Sequence, residues 1–522
     1  MSRSGDERVS REKFQSISAA DFFYRNREIA GFDNPVRATY TIIRELVENA
    51  LDACEQYSIM PDVRVKLIDE GNSIYKIKVE DNGIGVPYEQ VPYAFGQILF
   101  GSKYTLRQSR GIFGLGGKMA VLYGQITAHS TVRVLSSTGG FEKYFYELSI
   151  NVPENKPIIR KKDVTPNPGR WRGTMIEFSF EGDFVRAKPK LVEYFRQTAI
   201  LMPYANINYI SPEGVLYRFD RITEVMPKPA EEVKPHPFGV DIEIVHRMIN
   251  ASRSTNLLDF LANNFHRVGI ATAMNFLKSI KMSPDLNPKT MDSKDLVKLV
   301  SKMKDFNEFH PPDAQCLSPV GTELLKAGIV REFSPEYVAV TQRRASAYAG
   351  YPFVIEAAIA YGGGVPVTPI DETLVLRFAN KIPLLYDLHS DVAMKVIKRI
   401  NWQRYKLDLK TMPIAFFIHI CATKVPYKTV GKEYIADRPE VEYEIEWALK
   451  TCAREVKTHM GKKERAYIVQ RRLTVFERYL PLLSQFSTEL AGKEKPPDYE
   501  KVLKRLQAHA REVEQRSVVK AE

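Results

Sequence analysis

The feature that most constrains the fold is residues 39–57, which form one amphipathic helical pattern. Its apolar residues recur at helical spacing and share one face. They are Ile42, Ile43, Leu46, Val47, Ala50, Leu51 and Cys54. Glu45, Asn49 and Asp52 lie on the opposite face, because residues three and four apart on a helix are neighbours. A carboxylate and a carboxamide one turn apart could hold a water and a hard metal ion, although a solvated polar face explains the same pattern.

Length and composition bound the architecture. A chain of 522 residues exceeds one ordinary core, so two to four domains are expected. The 75 Lys and Arg against 63 Asp and Glu give a net charge of +12, which suits a polyanionic partner without establishing one. The cysteines are far apart in the chain, so a disulfide framework is not expected in what we predict to be a reduced, cytoplasmic protein. We find no apolar signal core, and the apolar run 413–421 is too short to span a bilayer.

A second motif follows two predicted strands. Residues 63–68 and 74–79 have strand patterns on either side of a turn at 70–72. The second strand runs into Asp81, Asn82, Gly83, Ile84 and Gly85. An acid at a strand end, followed by Gly-x-Gly, lets the backbone fold closely against a flat ligand. A plain turn explains the same residues.

The third motif is a glycine-rich segment that leads into an apolar helical pattern at 119–123. Its glycines are Gly111, Gly114, Gly116 and Gly117. Glycines leave backbone N–H groups accessible to an anion, and a helix N-terminus behind such a loop favours phosphate. Lys103 and Lys118 add positive charge, but Met119 after Lys118 departs from the P-loop motif. A flexible surface loop remains the alternative.

In this order the three motifs resemble the GHKL (Bergerat) ATPase superfamily, which gyrase, heat-shock chaperones, histidine kinases and MutL share. A strand led by Gly173 and Thr174 fits as a fourth element. A closer resemblance, from about residue 14 to about residue 472, is to the B subunit of archaeal topoisomerase VI. The strings that carry it are FFYRNREIAGFDNP, RELVENALDA, DNGIGVP, AFGQILFGSKY, RGIFGLGGK, VKPHPFGVD, LRFANKIPLLYD and ATKVPYKTVGKE.

The resemblance implies a role for each motif. Glu45 would be the general base for ATP hydrolysis, and Asn49 would hold Mg²⁺. Asp81 would bind the adenine amino group, and Lys432 would reach the γ-phosphate as a second catalytic residue. The remaining predicted nucleotide-binding residues are Gly83, Gly85, Ser102, Lys103, Gly111, Ile112, Phe113, Gly114, Leu115, Gly116, Gly117, Lys118 and Thr174. Considered without the resemblance, Lys432 could equally be an ordinary surface lysine.

The resemblance also implies a multidomain α+β fold. Its predicted parts are a dimerisation strap (1–20), a GHKL ATPase α/β sandwich (21–234), a helix-two-turns-helix insert (235–311), a transducer with a βαβ crossover (312–475) and a charged helical tail (476–522). Local patterns agree with this division. Predicted helices are 240–249, 257–265, 270–280, 296–304, 390–400 and 441–457, and predicted strands are 354–361, 373–378 and 414–421. For residues 1–20, a frayed tail is the alternative.

Two segments suggest DNA contact. The insert is lysine-rich, and residues 267–272 could present helix N-terminal amides to a phosphate. A solvated helical subdomain explains those lysines as well. Residues 402–405, Trp-Gln-Arg-Tyr, correspond to a family motif associated with DNA sensing, but glutamine replaces its lysine. A tryptophan that packs at a helix end is the competing explanation.

The predicted function is an ATP-operated gate of a type IIB DNA topoisomerase that relaxes and decatenates DNA. Because no Asp-x-Asp occurs in the chain, we expect a separate A subunit to cleave double-stranded DNA in an A₂B₂ assembly. ATP binding would drive dimerisation of the chain. We expect the protein in an archaeal cytoplasm, associated with the nucleoid and not with a membrane. The alternatives are a MutL-like clamp and a heat-shock-type chaperone. A histidine kinase is disfavoured, because there is no room before Phe22 for a phosphoacceptor helix.

Overall fold

The computed structural model describes residues 16–101, 105–111, 114–368, 373–428 and 431–518, in two compact units. The first unit comprises Met1–Pro235, Gln315–Ser318 and Tyr427–Glu433. The second comprises His236–Ala314, Pro319–Pro426 and Tyr434–Glu522. The five-part division expected from the sequence stays a prediction.

The described residues of the first unit form an eight-stranded sheet with helices packed against it. Its helices are α1 (Ala19–Arg25), α2 (Pro35–Glu55), α3 (Val91–Gly96), α4 (Gly116–Ala128) and α5 (Phe184–Leu201). Its strands are β1 (Asp62–Gly71), β2 (Ile74–Glu80), β3 (Val132–Thr138), β4 (Glu142–Asn151), β5 (Lys156–Pro166), β6 (Arg172–Glu181), β7 (Asn206–Ile210) and β8 (Leu216–Phe219). The strand order is β5-β4-β3-β6-β2-β1-β7-β8, and β1 and β7 run parallel.

Helix α2 forms where the apolar pattern predicts it. The side chain of Asn34 caps it by accepting a hydrogen bond from Arg37 N at 2.9 Å, and Pro35 occupies the first turn. The seven apolar residues of the pattern are each at most 4% exposed. Their burial against the sheet and neighbouring helices is the main source of this helix's stability.

The second unit contains a helical module with its own core. Its helices are α6 (Ile242–Ala251), α7 (Leu257–Asn264), α8 (Ile270–Ile280) and α9 (Ser293–Asp305). Phe260, Phe276 and Leu299 lie at the centre of one buried apolar cluster. All four helices predicted for this region are therefore confirmed.

The rest of the second unit is a six-stranded sheet with helices. The strands are β9 (Tyr337–Gln342), β10 (Ser346–Tyr348), β11 (Tyr351–Tyr361), β12 (Leu374–Ala379), β13 (Ile382–Pro383) and β14 (Ile414–Ala422). The helices are α10 (Thr322–Phe333), α11 (Val392–Arg399), α12 (Pro439–Leu490) and α13 (Glu500–Val518). Strands β12 and β14 pair in parallel, and α11 lies between them in sequence, so the predicted βαβ unit is confirmed.

Two buried polar networks hold this second sheet. Glu356 accepts hydrogen bonds from the backbone N–H groups of Val320 and Gly321, at 2.9 and 2.5 Å. His419 Nε2 accepts from Lys381 N at 2.9 Å, so its Nδ1–H donates to Glu356 at 2.8 Å. These atoms, near Cys421, therefore already have protein partners.

The second network joins β12 to the start of α11. Arg377 Nη1 lies 3.0 Å from Asp391 Oδ2, and both side chains are at most 3% exposed. Asp391 also accepts from Ala393 N and Ile435 N, at 2.8 and 2.9 Å. This network therefore ties the segment that follows the loop Tyr427–Glu433 to the body of the unit.

The remaining predictions concern membrane-spanning helices and disulfide bonds. In the part of the chain that the structure describes, no helix combines the length and apolarity needed to cross a bilayer. All four cysteines are buried and none is in a disulfide bond, as expected.

Candidate nucleotide-binding site

Helix α2 carries a buried charged cluster. Glu45 and Asn49 lie one turn apart, with Glu45 8% exposed and Asn49 open to solvent. Arg44 Nη2 lies 2.7 Å from Glu45 Oε1. Glu48, at 3% exposure, is buried beside them. The polar face of this helix is therefore not simply solvated, because Glu45 and Glu48 are buried. Buried charges persist only when they are paired.

The glycine-rich segment meets this cluster at the start of α4. A side chain at Gly116 would overlap the Glu45 carboxylate, and one at Gly117 would lie 2.8 Å from Asn49 Nδ2. Because α4 begins at Gly116, its unsatisfied N–H groups and positive dipole end lie beside both side chains. This arrangement favours a phosphate group.

Other residues predicted to surround the phosphates lie near this helix start. Leu115 is the N-cap of α4, and Gly114 has a φ of +59°, which favours glycine. Gly111 precedes them in an irregular segment. Lys118 is 5% exposed, and its ammonium donates to the Phe100 carbonyl. Four predictions fall outside the described residues: Ser102, Lys103, Ile112 and Phe113.

An arginine that the sequence did not single out anchors this segment. Arg110 Nη1 lies 2.6 Å from Asp52 Oδ1 and 2.9 Å from Glu55 Oε2, at the end of α2. The Arg110 side chain is only 3% exposed. A single arginine before a glycine has no distinctive spacing, so the sequence offers no signal for this role.

Asp81 lies at the exit of β2, next to β6. Asp81 Oδ1 accepts hydrogen bonds from Gly83 N at 2.8 Å and Thr174 N at 3.3 Å. Asp81 N donates in turn to Thr174 O at 3.0 Å. Burial raises the pKa of Asp81 to about 7. Both bonds from the described residues use Oδ1, so Oδ2 can accept from a ligand N–H group.

The glycines after Asp81 allow close packing. A side chain at Gly83 would lie 2.8 Å from Ala53 of α2. Gly85 has a φ of +75°, and a side chain there would collide with the Ser137 carbonyl. The Gly-x-Gly run is therefore pressed between α2 and β3, and it holds Asp81 in place.

Lys432 also reaches the cluster on α2. Its loop, Tyr427–Glu433, belongs to the first unit. Lys432 Nζ lies 3.5 Å from Glu45 Oε1 and 3.4 Å from Glu48 Oε2. The structure thus brings together the two residues predicted to be catalytic. It adds Glu48, whose only sequence signal is its position three residues after Glu45.

The residues beside α4 fit a magnesium ion. Glu45 and Asn49 offer a carboxylate and a carboxamide oxygen, the ligands that Mg²⁺ prefers. Gly117 leaves open the space that a side chain would fill beside Asn49.

Comparisons with known proteins cover both parts of the chain. A family model described as histidine kinase-, DNA gyrase B- and HSP90-like ATPase matches residues 34–154. Another, described as topoisomerase VI B subunit, transducer, matches residues 312–472. These matches confirm the predicted ATPase and transducer folds.

Three relatives extend the similarity over nearly the whole chain, and each is named as the B subunit of type 2 DNA topoisomerase 6. The protein of Sulfurisphaera tokodaii is 43% identical over 482 residues, which cover 91% of this chain and 90% of the relative. That of Metallosphaera sedula is 42% identical over 480 residues, with the same coverages. That of Saccharolobus islandicus is 40% identical over 491 residues, 93% and 92% of the two chains. These names favour the topoisomerase prediction over the clamp and chaperone alternatives, and the chain belongs to the family of type 2 DNA topoisomerase 6 B subunits.

Proposed function

We propose that this chain hydrolyses ATP with the cluster on α2 and thereby operates the gate of a two-subunit topoisomerase. The observation that carries the proposal is the contact of the α4 N-terminus with Glu45 and Asn49. Phosphates bound at this helix end would be adjacent to a buried carboxylate. The adenine amino group would donate to Asp81, which the glycine turn holds at the end of β2.

Glu45 would orient the attacking water and take its proton. A positioned general base contributes about 10²–10⁴ in rate. Asn49 would hold Mg²⁺, which offsets phosphate charge when it is bound. The N-terminal N–H groups of α4 and the ammonium of Lys432 would stabilise the negative charge that develops on the γ-phosphate. The residues predicted to wrap the phosphates, from Gly111 to Lys118, complete this part of the proposal.

Lys432 would also report on the γ-phosphate. Its loop lies in the first unit, whereas the strand before it and the helix after it lie in the second. Loss of the γ-phosphate would remove the contact between Lys432 and the nucleotide, and this change at the loop would signal hydrolysis to the second unit. In the proposed ATPase cycle, ATP binding would close a homodimer, as predicted, and hydrolysis would follow.

The partners would be a DNA-cleaving A subunit, in an A₂B₂ assembly at the nucleoid, and duplex DNA. The helical module suits a DNA backbone, because its lysines are exposed. They are Lys278, Lys281, Lys289, Lys294, Lys298, Lys302 and Lys304. The start of α8 is also exposed, with Ile270 at 64%. By contrast, Trp402 is 7% exposed and donates to Ile397 O at 2.9 Å, which favours its packing role.

The test combines hydrolysis with DNA topology. Glu45→Ala should bind ATP but lose hydrolysis by about 10²–10⁴. Glu154→Ala, which removes an exposed carboxylate, is the control and should hydrolyse ATP normally. The wild-type chain mixed with a cleavage subunit should relax supercoiled DNA only with ATP. Wild-type turnover in Glu45→Ala would overturn the assignment of the base. Intact hydrolysis without relaxation would overturn the gate.

A further inference from the structure

Three consecutive residues of the loop Tyr427–Glu433 contact α2. Arg44 Nη1 donates to the Gly431 carbonyl at 3.3 Å. Lys432 lies between Glu45 and Glu48, and Glu433 forms an ion pair with Arg37. Residues 431–433 are therefore held on the helix by charged side chains of both segments.

Glu48 is the better placed of the two carboxylates for Lys432. Lys432 Nζ donates a hydrogen bond to Glu48 Oε2 at 3.4 Å. The Glu48 side chain is 4% exposed, against 11% for Glu45. Glu48 Oε1 has no hydrogen bond in the described structure, although Arg44 Nε lies 3.4 Å away. Among the described residues, Lys432 thus donates a hydrogen bond to this buried carboxylate.

The charges of the cluster are balanced. Arg44 and Lys432 supply two positive charges, and Glu45 and Glu48 supply two negative charges, all with side chains at most 11% exposed. A γ-phosphate at the α4 N-terminus would add negative charge to this poorly solvated group. Coulomb repulsion is strong where solvent is scarce, so the phosphate and Glu48 would compete for one ammonium.

We propose that Glu48 is a positioning residue, which holds Lys432 on α2 and releases it when a γ-phosphate binds. This inference rests on the proposed function, in which Lys432 is the γ-phosphate ligand. Lys432 exchanges one anionic partner for another, so its net contribution to ATP affinity is small. Its contact with the phosphate then reports a triphosphate without tightening binding greatly.

Removal of Glu48 should change nucleotide discrimination. With no competing carboxylate at this position, the interaction of Lys432 with the γ-phosphate should contribute more to the affinity for a triphosphate. Coupling between residues in direct contact changes an equilibrium constant by about 2-fold to about 150-fold, and tenfold lies within that range. We therefore expect Glu48→Gln to raise the preference for a triphosphate over a diphosphate by about tenfold.

The experiment measures the affinities of a non-hydrolysable ATP analogue and of ADP, each with Mg²⁺, by calorimetry. The variants are Glu48→Gln, Lys432→Ala and the double variant. The preference should rise in Glu48→Gln and return to the Lys432→Ala value in the double variant. Asp52→Asn is the control, because it removes a carboxylate of the same helix that pairs with Arg110 instead. Its effect on the preference should be the same with and without Lys432.

Each other outcome counts against one claim. An unchanged preference in folded Glu48→Gln overturns the exchange, as does a rise that persists without Lys432. If Glu48→Gln does not fold, Glu48→Asp shortens the side chain while it keeps the charge beside Arg44, and it should raise the preference by a smaller factor. No rise in Glu48→Asp would then overturn the exchange. Wild-type hydrolysis by Lys432→Ala would instead overturn the proposed role of Lys432.

Discussion

Gly116 provides a direct test of the site, because its missing side chain determines where Glu45 can lie. A Cβ atom at Gly116 would overlap the Glu45 carboxylate, at much less than the 3.0 Å that separates Cβ atoms from their neighbours in proteins. In Gly116→Ala the carboxylate must therefore move, by on the order of 1 Å. Misplacement of that size can cost about 10²-fold in rate. We expect ATP turnover to fall by about 10²-fold or more, up to the full contribution of a general base, about 10⁴.

The stability of this variant should change little. The displaced group is the end of a flexible side chain, and alanine favours a helix over glycine by about 1 kcal/mol. Gly461→Ala is the matched control, because this glycine also lies in a helix and a Cβ there meets nothing within 4 Å. Steady-state hydrolysis and thermal melting should be measured for both variants. Wild-type turnover in Gly116→Ala would refute the placement of the α4 N-terminus against the catalytic base.

Three further predictions follow from contacts described above. Lys432→Ala should keep its ATP affinity and lose turnover, which binding and steady-state assays can separate; wild-type turnover would contradict its role. Burial raises the pKa of Asp81 to about 7. The contribution of Asp81 to the free energy of unfolding should therefore decrease as the pH rises from about 4 to about 7. Affinity for magnesium-bound ATP should rise from pH 6 to pH 8 as the carboxylate ionises, and a flat profile would count against the adenine contact. Asp391→Ala leaves the Arg377 guanidinium buried without its carboxylate partner, at a cost of about 3–5 kcal/mol. Calorimetry should show the transition lowered by roughly 6–20 °C, whereas exposed Asp437→Ala should shift it little.

Local patterns predicted much of the fold. The apolar face of α2 and the helices of the helical module both depend on residues close in sequence. Predicted helix ends differed mainly at α12, which extends over Pro439–Leu490 with Pro481 inside it, whereas a helix over 441–457 and a separate helical tail from residue 476 were predicted.

The site was only partly predictable, because its remaining charges are paired through distant contacts. Glu48 meets Lys432 across 384 positions, and Arg110 meets Asp52 across 58. Helical spacing alone cannot distinguish such paired residues from a solvated surface. The interaction of Lys118 with the Phe100 carbonyl was also unexpected, since a lysine after glycines suggested a phosphate ligand.

The length of α12 has a mechanical consequence for the loop that precedes it. The helix contains 52 residues and begins seven positions after Lys432, and at 1.5 Å per residue it extends about 78 Å. If it turns as one rod, a tilt of about 5° at its beginning displaces its far end by about 7 Å, more than one helical pitch. The exchange of Lys432 between Glu48 and the γ-phosphate could thus be amplified into a movement at the far end of α12 that is large enough to rearrange a neighbouring protein.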